Sequence, residues 1–489
     1  VRFITETYDS FAKLSPDQTA IHTTNQQISY KKWNVLINQT ANWLHALPSE
    51  TKTIGILLPN DIPFLQMFLG ACRAGWIAVP YDLKWNLTEL KQRIHLSSPS
   101  LIVTTREIYS KIKHQIPNVT VLQDCLHNIS QCSTSFEWEP EDDLPFYIGF
   151  TSGTTGSPKA FIRSQESWSA SFDCNRIDFE LNKTDHVLIP GALIHSHFLY
   201  GAVSTLYLGG TVYLLEKFST AKVLSWTNNF PITAVYVVPT MIEGLLKETI
   251  SINKPLKVIS SGAKWNERSK IQFRQRFPEL SLYEFYGASE LSFISVLSEK
   301  EGMQKDRTVG KPCYGVEVQV RDEDQEIVKP YSTGKIYVRS NYMIAGYFDQ
   351  EGVIQTIKDD EGWATVHDMG YIDEDGFLYI TGREQNMILY GGINIFPEEI
   401  EKVISVHPNV EEVAIIGLSD SYWGQVTAAV IKGKNNLTEM QLKRFCKKHL
   451  SSYKIPRKWF FLNEMPYTTS GKIARADLVK QIESQVSHH

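Results

Sequence analysis

From Thr53 to Pro80 the chain runs through a short apolar stretch (TIGILLP), a helical pattern and a second apolar stretch (WIAVP). That is the grammar of a strand, a crossover helix and a parallel strand. The pattern recurs between Val187 and Leu215 and between Ile232 and Ser260. Near-continuous apolar strands of this kind are buried on both faces, so the first part of the chain is expected to be α/β, with helices flanking parallel or mixed sheets. From Thr308 to Ile380 the grammar changes to short strands separated by turn signals such as RDEDQ (321–325) and DEDG (373–376), which predicts a β-rich subdomain.

A length of 489 residues exceeds one compact core and calls for more than one domain. After Arg383 comes a polar stretch, Glu384, Gln385 and Asn386, followed by a segment with strands and helices of its own. Pro397 opens one of these helices, and Glu398 and Glu399 stand in its first turn, where the helix dipole favours acids. The expected division is a large domain over 1–383, a hinge at 384–386 and a small, mobile α+β domain over 387–489.

A net charge of −5 provides no general attraction for nucleic acid or an anionic membrane. Six cysteines without a CxxC pair suit reduced thiols in a cytosol, so neither disulfides nor zinc are expected. The longest apolar region, Phe64 to Pro80, contains Arg73 and reads as a buried helix running into a strand. These features together predict a cytoplasmic protein without a membrane span.

The segment YIGFTSGTTGSPKA, Tyr147 to Ala160, places glycines, hydroxyls and one lysine directly after an apolar strand. Glycines let backbone N–H groups converge on an anion, Thr151, Ser152, Thr154, Thr155 and Ser157 add donors, and Lys159 adds charge. Such a loop suits phosphates, although a plain surface turn has the same composition. It lacks the Gly-Lys-Ser/Thr ending of a Walker loop, and no two of its glycines stand two apart as in the dinucleotide fingerprint.

Four further clusters follow in order: YGASE (286–290), DMGYIDEDGFLYITGR (368–383), YGGINIFPEEIE (390–401) and PYTTSGK (466–472). Together with TSGTTGSPK they resemble the acyl-adenylate-forming superfamily, over nearly the whole chain and most closely its acyl-CoA synthetase branch. The resemblance implies an ATP-dependent acid-thiol ligase. A carboxylate attacks the α-phosphorus of ATP, pyrophosphate leaves, and the acyl group passes from AMP to a thiol. Two anions must then approach each other, so positioning and electrostatics dominate.

By that resemblance Thr151, Ser152, Gly153, Thr154, Thr155, Gly156 and Lys159 cradle the β- and γ-phosphates, and Glu290 holds Mg²⁺. Tyr286 lies against adenine, within a motif shared with Gly287 and Ser289, and Ser261, Gly262 and Ala263 supply contacts to the adenine edge. Asp368 accepts the ribose hydroxyls with help from Arg383. Lys472 reaches the α-phosphate and bridging oxygens, and Gly391 and Gly392 line the path of the pantetheine thiol of coenzyme A. His195 and His197 fall where the family has an active-site histidine near the acyl pocket; His195 is taken as the catalytic candidate, and which of the two lines the pocket stays open.

Four positions depart from the family pattern: Ala160 after the loop lysine, Val366 and His367 in place of Thr-Gly before the ribose aspartate, and Gln385 in the hinge. The segment GLSDS, Gly417 to Ser421, mimics a phosphopantetheine attachment site and is read as a turn inside the small domain. Between Val187 and Gly210 there is no acidic residue to neutralise an ammonium, which disfavours an amino acid and points to an apolar carboxylate, fatty or aryl. With no carrier domain in the sequence, coenzyme A is the expected acceptor. A separate carrier protein is the alternative, and a degenerate nucleotide-binding protein without turnover is a third reading.

Overall fold

The computed structural model describes residues 2–137, 143–152, 158–262, 265, 267–305, 307–348, 353–390, 393–420, 423–434, 437–467 and 473–486. The chain packs into two compact units, one of residues 1–318 with 338–364 and one of residues 319–337 with 365–489. This division by packing differs from a cut at residue 383. The strand Leu378–Arg383 packs against the helix Pro397–Ile404, so the segment around it clusters with the residues that follow.

The first unit holds two large sheets. A nine-stranded sheet runs, in spatial order, Lys311–Pro312, Ser292–Ser298, Leu280–Ala288, Leu256–Ser260, Ala234–Val237, His186–Ile189, Thr211–Leu214, Thr19–His22 and Gln27–Ser29. Its centre is parallel and its edges antiparallel. An eight-stranded sheet runs Ile354–Gln355, Gly346–Phe348, Pro158–Ser164, Pro145–Ser152, Ile77–Pro80, Thr53–Leu57, Leu101–Thr104 and Val119–Val121. The βαβ unit expected between Thr53 and Pro80 is present: the two strands pair in parallel, and the helix Ile62–Arg73 crosses between them. Asp61 caps that helix by accepting a 2.8 Å hydrogen bond from the Ile62 N–H, and a proline occupies the first turn, where its missing donor costs nothing.

The central strands are buried throughout, as their apolar sequences require. Because their parallel members point the same way, the loops at their carboxyl ends gather on one side of each sheet, where α/β proteins bind ligands. Asn60, just past the strand Thr53–Leu57, ties the loops of the two sheets together. Its side-chain amide donates to Gly191 O (2.7 Å) and Leu215 O (3.2 Å) and accepts from the Leu193 N–H (2.9 Å).

The β-rich stretch forms a four-stranded sheet of Glu317–Arg321, Gly334–Arg339, Asp368–Ile372 and Leu378–Arg383. The carboxyl-terminal segment forms a further sheet around the long hairpin Val410–Asp420 and Gly424–Gly433, and the free edge of Gly424–Gly433 pairs with Ile388–Tyr390, which carries Ile393–Ile395, at its start and with Lys458–Phe461, in parallel, further along. Its core joins Ile395, Ile400, Ile404, Ile415, Val430, Leu442, Leu478 and Ile482, which unites helices and sheet in an α+β fold. Gly417 to Asp420 belong to the long strand rather than to a loop, and Ser419 pairs with Gln425. Among the described residues no helix is long and apolar enough to cross a membrane.

Candidate active site

The glycine-rich segment begins and ends in paired strands. Pro145–Ser152 and Pro158–Ser164 run antiparallel, with Thr151 opposite Lys159 and Ser152 opposite Pro158. Gly153, Thr154, Thr155, Gly156 and Ser157 lie outside the described residues, as do Ala263, Gly391, Gly392 and Lys472. Ala160, where the family has glycine, is buried in the return strand.

YGASE lies at the end of the strand Leu280–Ala288 and in the turn that follows, before Ser292–Ser298 returns antiparallel. Pairing slips between Tyr286 and Gly287, and a Cβ at Gly287 would stand 2.1 Å from Ser292 O. Only glycine fits that approach. The slip leaves Ser289 and Glu290 on the turn, and the carbonyl of Glu290 accepts a 2.9 Å hydrogen bond from the Ile344 N–H. Glu290 is half-buried.

The Glu290 carboxylate accepts a short hydrogen bond from the Tyr347 hydroxyl, and the Lys159 ammonium stands 5.6 Å from the centre of the Tyr347 ring. Burial, together with the charge of Glu290 and the hydrogen bond to it, pushes the Tyr347 phenol well above its ordinary value, partly offset by a hydrogen bond with Thr151. Tyr347 therefore stays protonated and donating. Its strand, Gly346–Phe348, pairs with the return strand of the glycine-rich hairpin, Tyr347 opposite Phe161. Thr151, Lys159, Glu290 and Tyr347 thus come together from three segments.

Arg163 lies beneath them. It is almost fully buried, and its guanidinium donates to Tyr342 O (2.7 Å) and Ser289 O (2.6 Å). Burial lowers its pKa to about 10, with Tyr147 and Glu290 acting the other way, so it remains a cation near neutrality. Neither Arg163 nor Tyr347 was among the residues expected from sequence. A lone cation in the apolar run AFIRS was the available signal for Arg163; Tyr347 had none.

At the carboxyl end of the strand Leu256–Ser260, the Ser261 hydroxyl donates to Phe285 O (3.1 Å) and Gly262 adopts φ +97°, a left-handed conformation that favours glycine. Tyr286 pairs across the hairpin with Ser295, one residue past Phe285. His195 is the exposed N-cap residue of the helix Ser196–Leu208. His197 is enclosed instead: its Nε2 lies 2.9 Å from Val237 O, and its ring packs on Phe198, Tyr236 and Phe285 at 4.9, 5.3 and 5.6 Å. A carbonyl only accepts, so Nε2 carries the hydrogen and Nδ1 is left as a buried acceptor without a partner among the described residues. Burial depresses the His197 pKa to about 4.

In the second unit Asp368 and Arg383 face each other across paired strands, and Arg383 Nε donates to Asp368 Oδ1 at 3.0 Å. Asp368 is buried while Arg383 is more than half exposed. His367 has φ +63°, the left-handed conformation, where glycine is the family residue. Its Nδ1 lies 2.8 Å from Glu384 Oε2, and Lys335 reaches the other oxygen of Glu384 at 2.9 Å. Burial raises the Glu384 pKa, but the hydrogen bonds and charges of Lys335 and His367 outweigh it and hold the carboxyl below its ordinary value. The strands Ile388–Tyr390 and Ile393–Ile395 flank Gly391 and Gly392, and Tyr467 pairs with Ile473 on either side of the segment that ends in Lys472.

Among the described residues no three metal-ligating side chains cluster. Mg²⁺ does not require such a cluster, because it takes most of its ligands from water and substrate phosphates and needs one or two carboxylates. Glu290 fits that role: it is a hard oxygen donor, one of its oxygens is engaged by a neutral phenol, and among the described residues it has no ion-pair partner.

The AMP-binding enzyme family matches residues 8–348, and the AMP-binding enzyme C-terminal domain matches residues 399–472. An uncharacterized acyl-CoA ligase of Bacillus subtilis, YhfT, is 46% identical over 485 residues, covering 99% of both chains. A putative long chain fatty acid-CoA ligase of Staphylococcus aureus, VraA, is 30% identical over 97% of this chain and 98% of its own. The structure of o-succinylbenzoate CoA synthetase (MenE) from Bacillus subtilis, in complex with its acyl-adenylate intermediate, superimposes with a TM-score of 0.86 at 26% identity, over 96% of this chain and 97% of that one. The α/β fold, the ordered motifs and these relatives agree: the chain belongs to the AMP-binding enzymes, in their acyl-CoA ligase branch.

Proposed function

We propose that this protein activates an apolar carboxylic acid, fatty or aryl, as its acyl-adenylate at the expense of ATP, and transfers the acyl group to coenzyme A. The observation that carries the reading is the convergence of Lys159, Thr151, Tyr347 and Glu290 beside the glycine-rich hairpin. A cation near the ring of one tyrosine and a carboxylate at its hydroxyl suit a site that must hold both phosphate and metal.

In this reading the segment from Thr151 to Gly156, with Ser152, Gly153, Thr154 and Thr155, donates to the departing pyrophosphate, and Lys159 neutralises it. Glu290 and Tyr347 orient the metal side of the site; Mg²⁺ bound there would offset phosphate charge as the acid approaches. Tyr286, Gly287 and Ser289, with Ser261, Gly262 and Ala263, bound the adenine. Asp368 accepts from the ribose hydroxyls while Arg383 holds its other flank. Lys472 donates to the α-phosphoryl and bridging oxygens in the first half-reaction, residues 384–386 act as the hinge between the two, and Gly391 and Gly392 admit the thiol in the second.

The acid would lie against the helix Ser196–Leu208, whose buried face includes Phe198, Leu199, Ala202 and Val203. With His197 neutral and no acid between Val187 and Gly210, that surface cannot pair an ammonium. His195, at the helix start, is the histidine open to a substrate carboxylate.

The test is carboxylate-dependent exchange of pyrophosphate into ATP across a panel of fatty, aryl and amino acids, followed by detection of the CoA thioester. Exchange with apolar acids and thioester formation are expected. No exchange with any acid would sink the reading, and exchange with acylation of a holo-carrier but not of CoA would replace the acceptor.

A further inference from the structure

Glu290 stands on a tight turn, yet its backbone is held from two directions. Its own carbonyl takes the Ile344 N–H, and the carbonyl before it, Ser289 O, takes an N–H of Arg163 at 2.6 Å. The same guanidinium donates to Tyr342 O at 2.7 Å, and that carbonyl also accepts from the Ser292 hydroxyl at 2.8 Å. Ser292 itself has φ +60°, so the turn contains a left-handed non-glycine residue that its surroundings must hold in place. Tyr342 leads into the segment that supplies both Ile344 and Tyr347, each of which donates a hydrogen bond to Glu290.

We propose that Arg163 is a positioning residue for the Glu290 carboxylate: its buried guanidinium clamps the Glu290 turn and the Tyr347 segment to the hairpin that carries Lys159. A guanidinium suits the task because its planar fork presents several donors at fixed angles and can bridge two carbonyls at once, whereas an ammonium is a compact point donor. Burying a cation to hold two backbone oxygens is costly, and a neutral donor could satisfy either carbonyl alone. The geometry is accounted for if the register between the two segments is what matters. The proposal rests on the reading above, in which Glu290 faces the metal.

The experiment uses the full chain with Arg163→Leu, Arg163→Lys and Glu290→Gln. Binding of ATP is measured by calorimetry with excess Mg²⁺ and again in EDTA, alongside KM values for MgATP and for the acid. Arg163→Leu is expected to weaken MgATP binding about tenfold, the scale of one lost charge-assisted tie, while changing metal-free ATP binding by less than about twofold. Arg163→Lys should recover part of the loss. Unchanged MgATP affinity in a folded Arg163→Leu protein, or equal loss with and without metal, would overturn the clamp. If Arg163→Leu does not fold, Arg163→Lys is read in the same way: a metal-selective loss of about threefold supports the clamp, and none overturns it. Loss in Glu290→Gln but not in the Arg163 variants removes the clamp alone, whereas wild-type metal dependence in Glu290→Gln removes the metal-side reading and the clamp together.

Discussion

The Tyr347 hydroxyl donates to Glu290 Oε1 while the Tyr347 ring lies 5.6 Å from the Lys159 ammonium, so one side chain meets both the carboxylate and the cation of the glycine-rich hairpin. Its strand position opposite Phe161 makes this possible, because it places the tyrosine alongside the return arm of the hairpin. Replacing Tyr347 by Phe keeps the ring and deletes the donor. Loss of a hydrogen bond to a charged group costs about 1.5–3 kcal/mol, so kcat/KM for adenylation should fall about tenfold or more while thermal stability changes little. Steady-state kinetics at varied Mg²⁺ check this, and wild-type kinetics in the variant would show that the contact is incidental.

Lys472→Ala should lower pyrophosphate exchange by about 10²–10³, the scale for one preorganised donor to developing charge. Transfer of the acyl group from synthetic acyl-AMP to CoA should be largely retained. Equal loss in both half-reactions would remove the lysine from its assigned step.

His197 makes stability depend on pH in a definable window. Its pKa falls from the ordinary 6.5 to about 4 on folding, so between those values the unfolded chain binds the extra proton. Stability is therefore lost as pH drops from 6.5 towards 4, by on the order of 3 kcal/mol in total if this group acts alone. Urea unfolding at pH 7, 6 and 5 should show the trend, and His197→Phe should flatten it.

Gly287→Ala should damage the YGASE turn, because the added methyl would stand 2.1 Å from Ser292 O and the antiparallel partner strand would have to shift. A destabilisation of about 2–3 kcal/mol is expected from such overpacking, with adenylation falling through misplacement of Glu290. An unfolding midpoint within error of wild type would show that the hairpin yields easily.

Much of the scaffold was legible in the chain. The apolar run, helix and apolar run from Thr53 to Pro80 became two parallel strands and their crossover helix, since hydrophobic periodicity and length reflect burial directly. The change of grammar after Thr308 became a four-stranded sheet. Packing was less legible: the units divide at 318/319, 337/338 and 364/365, a partition that local pattern does not encode because it depends on contacts such as that between Leu378–Arg383 and Pro397–Ile404. His367 shows the converse. It stands where the family has glycine, and the histidine adopts the left-handed conformation and meets Glu384 through Nδ1.

The sequence by itself determined the family, the α/β class and the order of the motifs, because glycines, hydroxyls and charges at fixed spacing are local requirements of phosphate chemistry. Tertiary structure alone decided that Tyr347 meets Glu290, that Arg163 clamps the turn beneath it, and that His197 rather than His195 is enclosed. Those relationships join residues far apart in the chain, such as Arg163 with Ser289 and Tyr342, and their register is set by strand pairing and burial, which no window along the sequence contains.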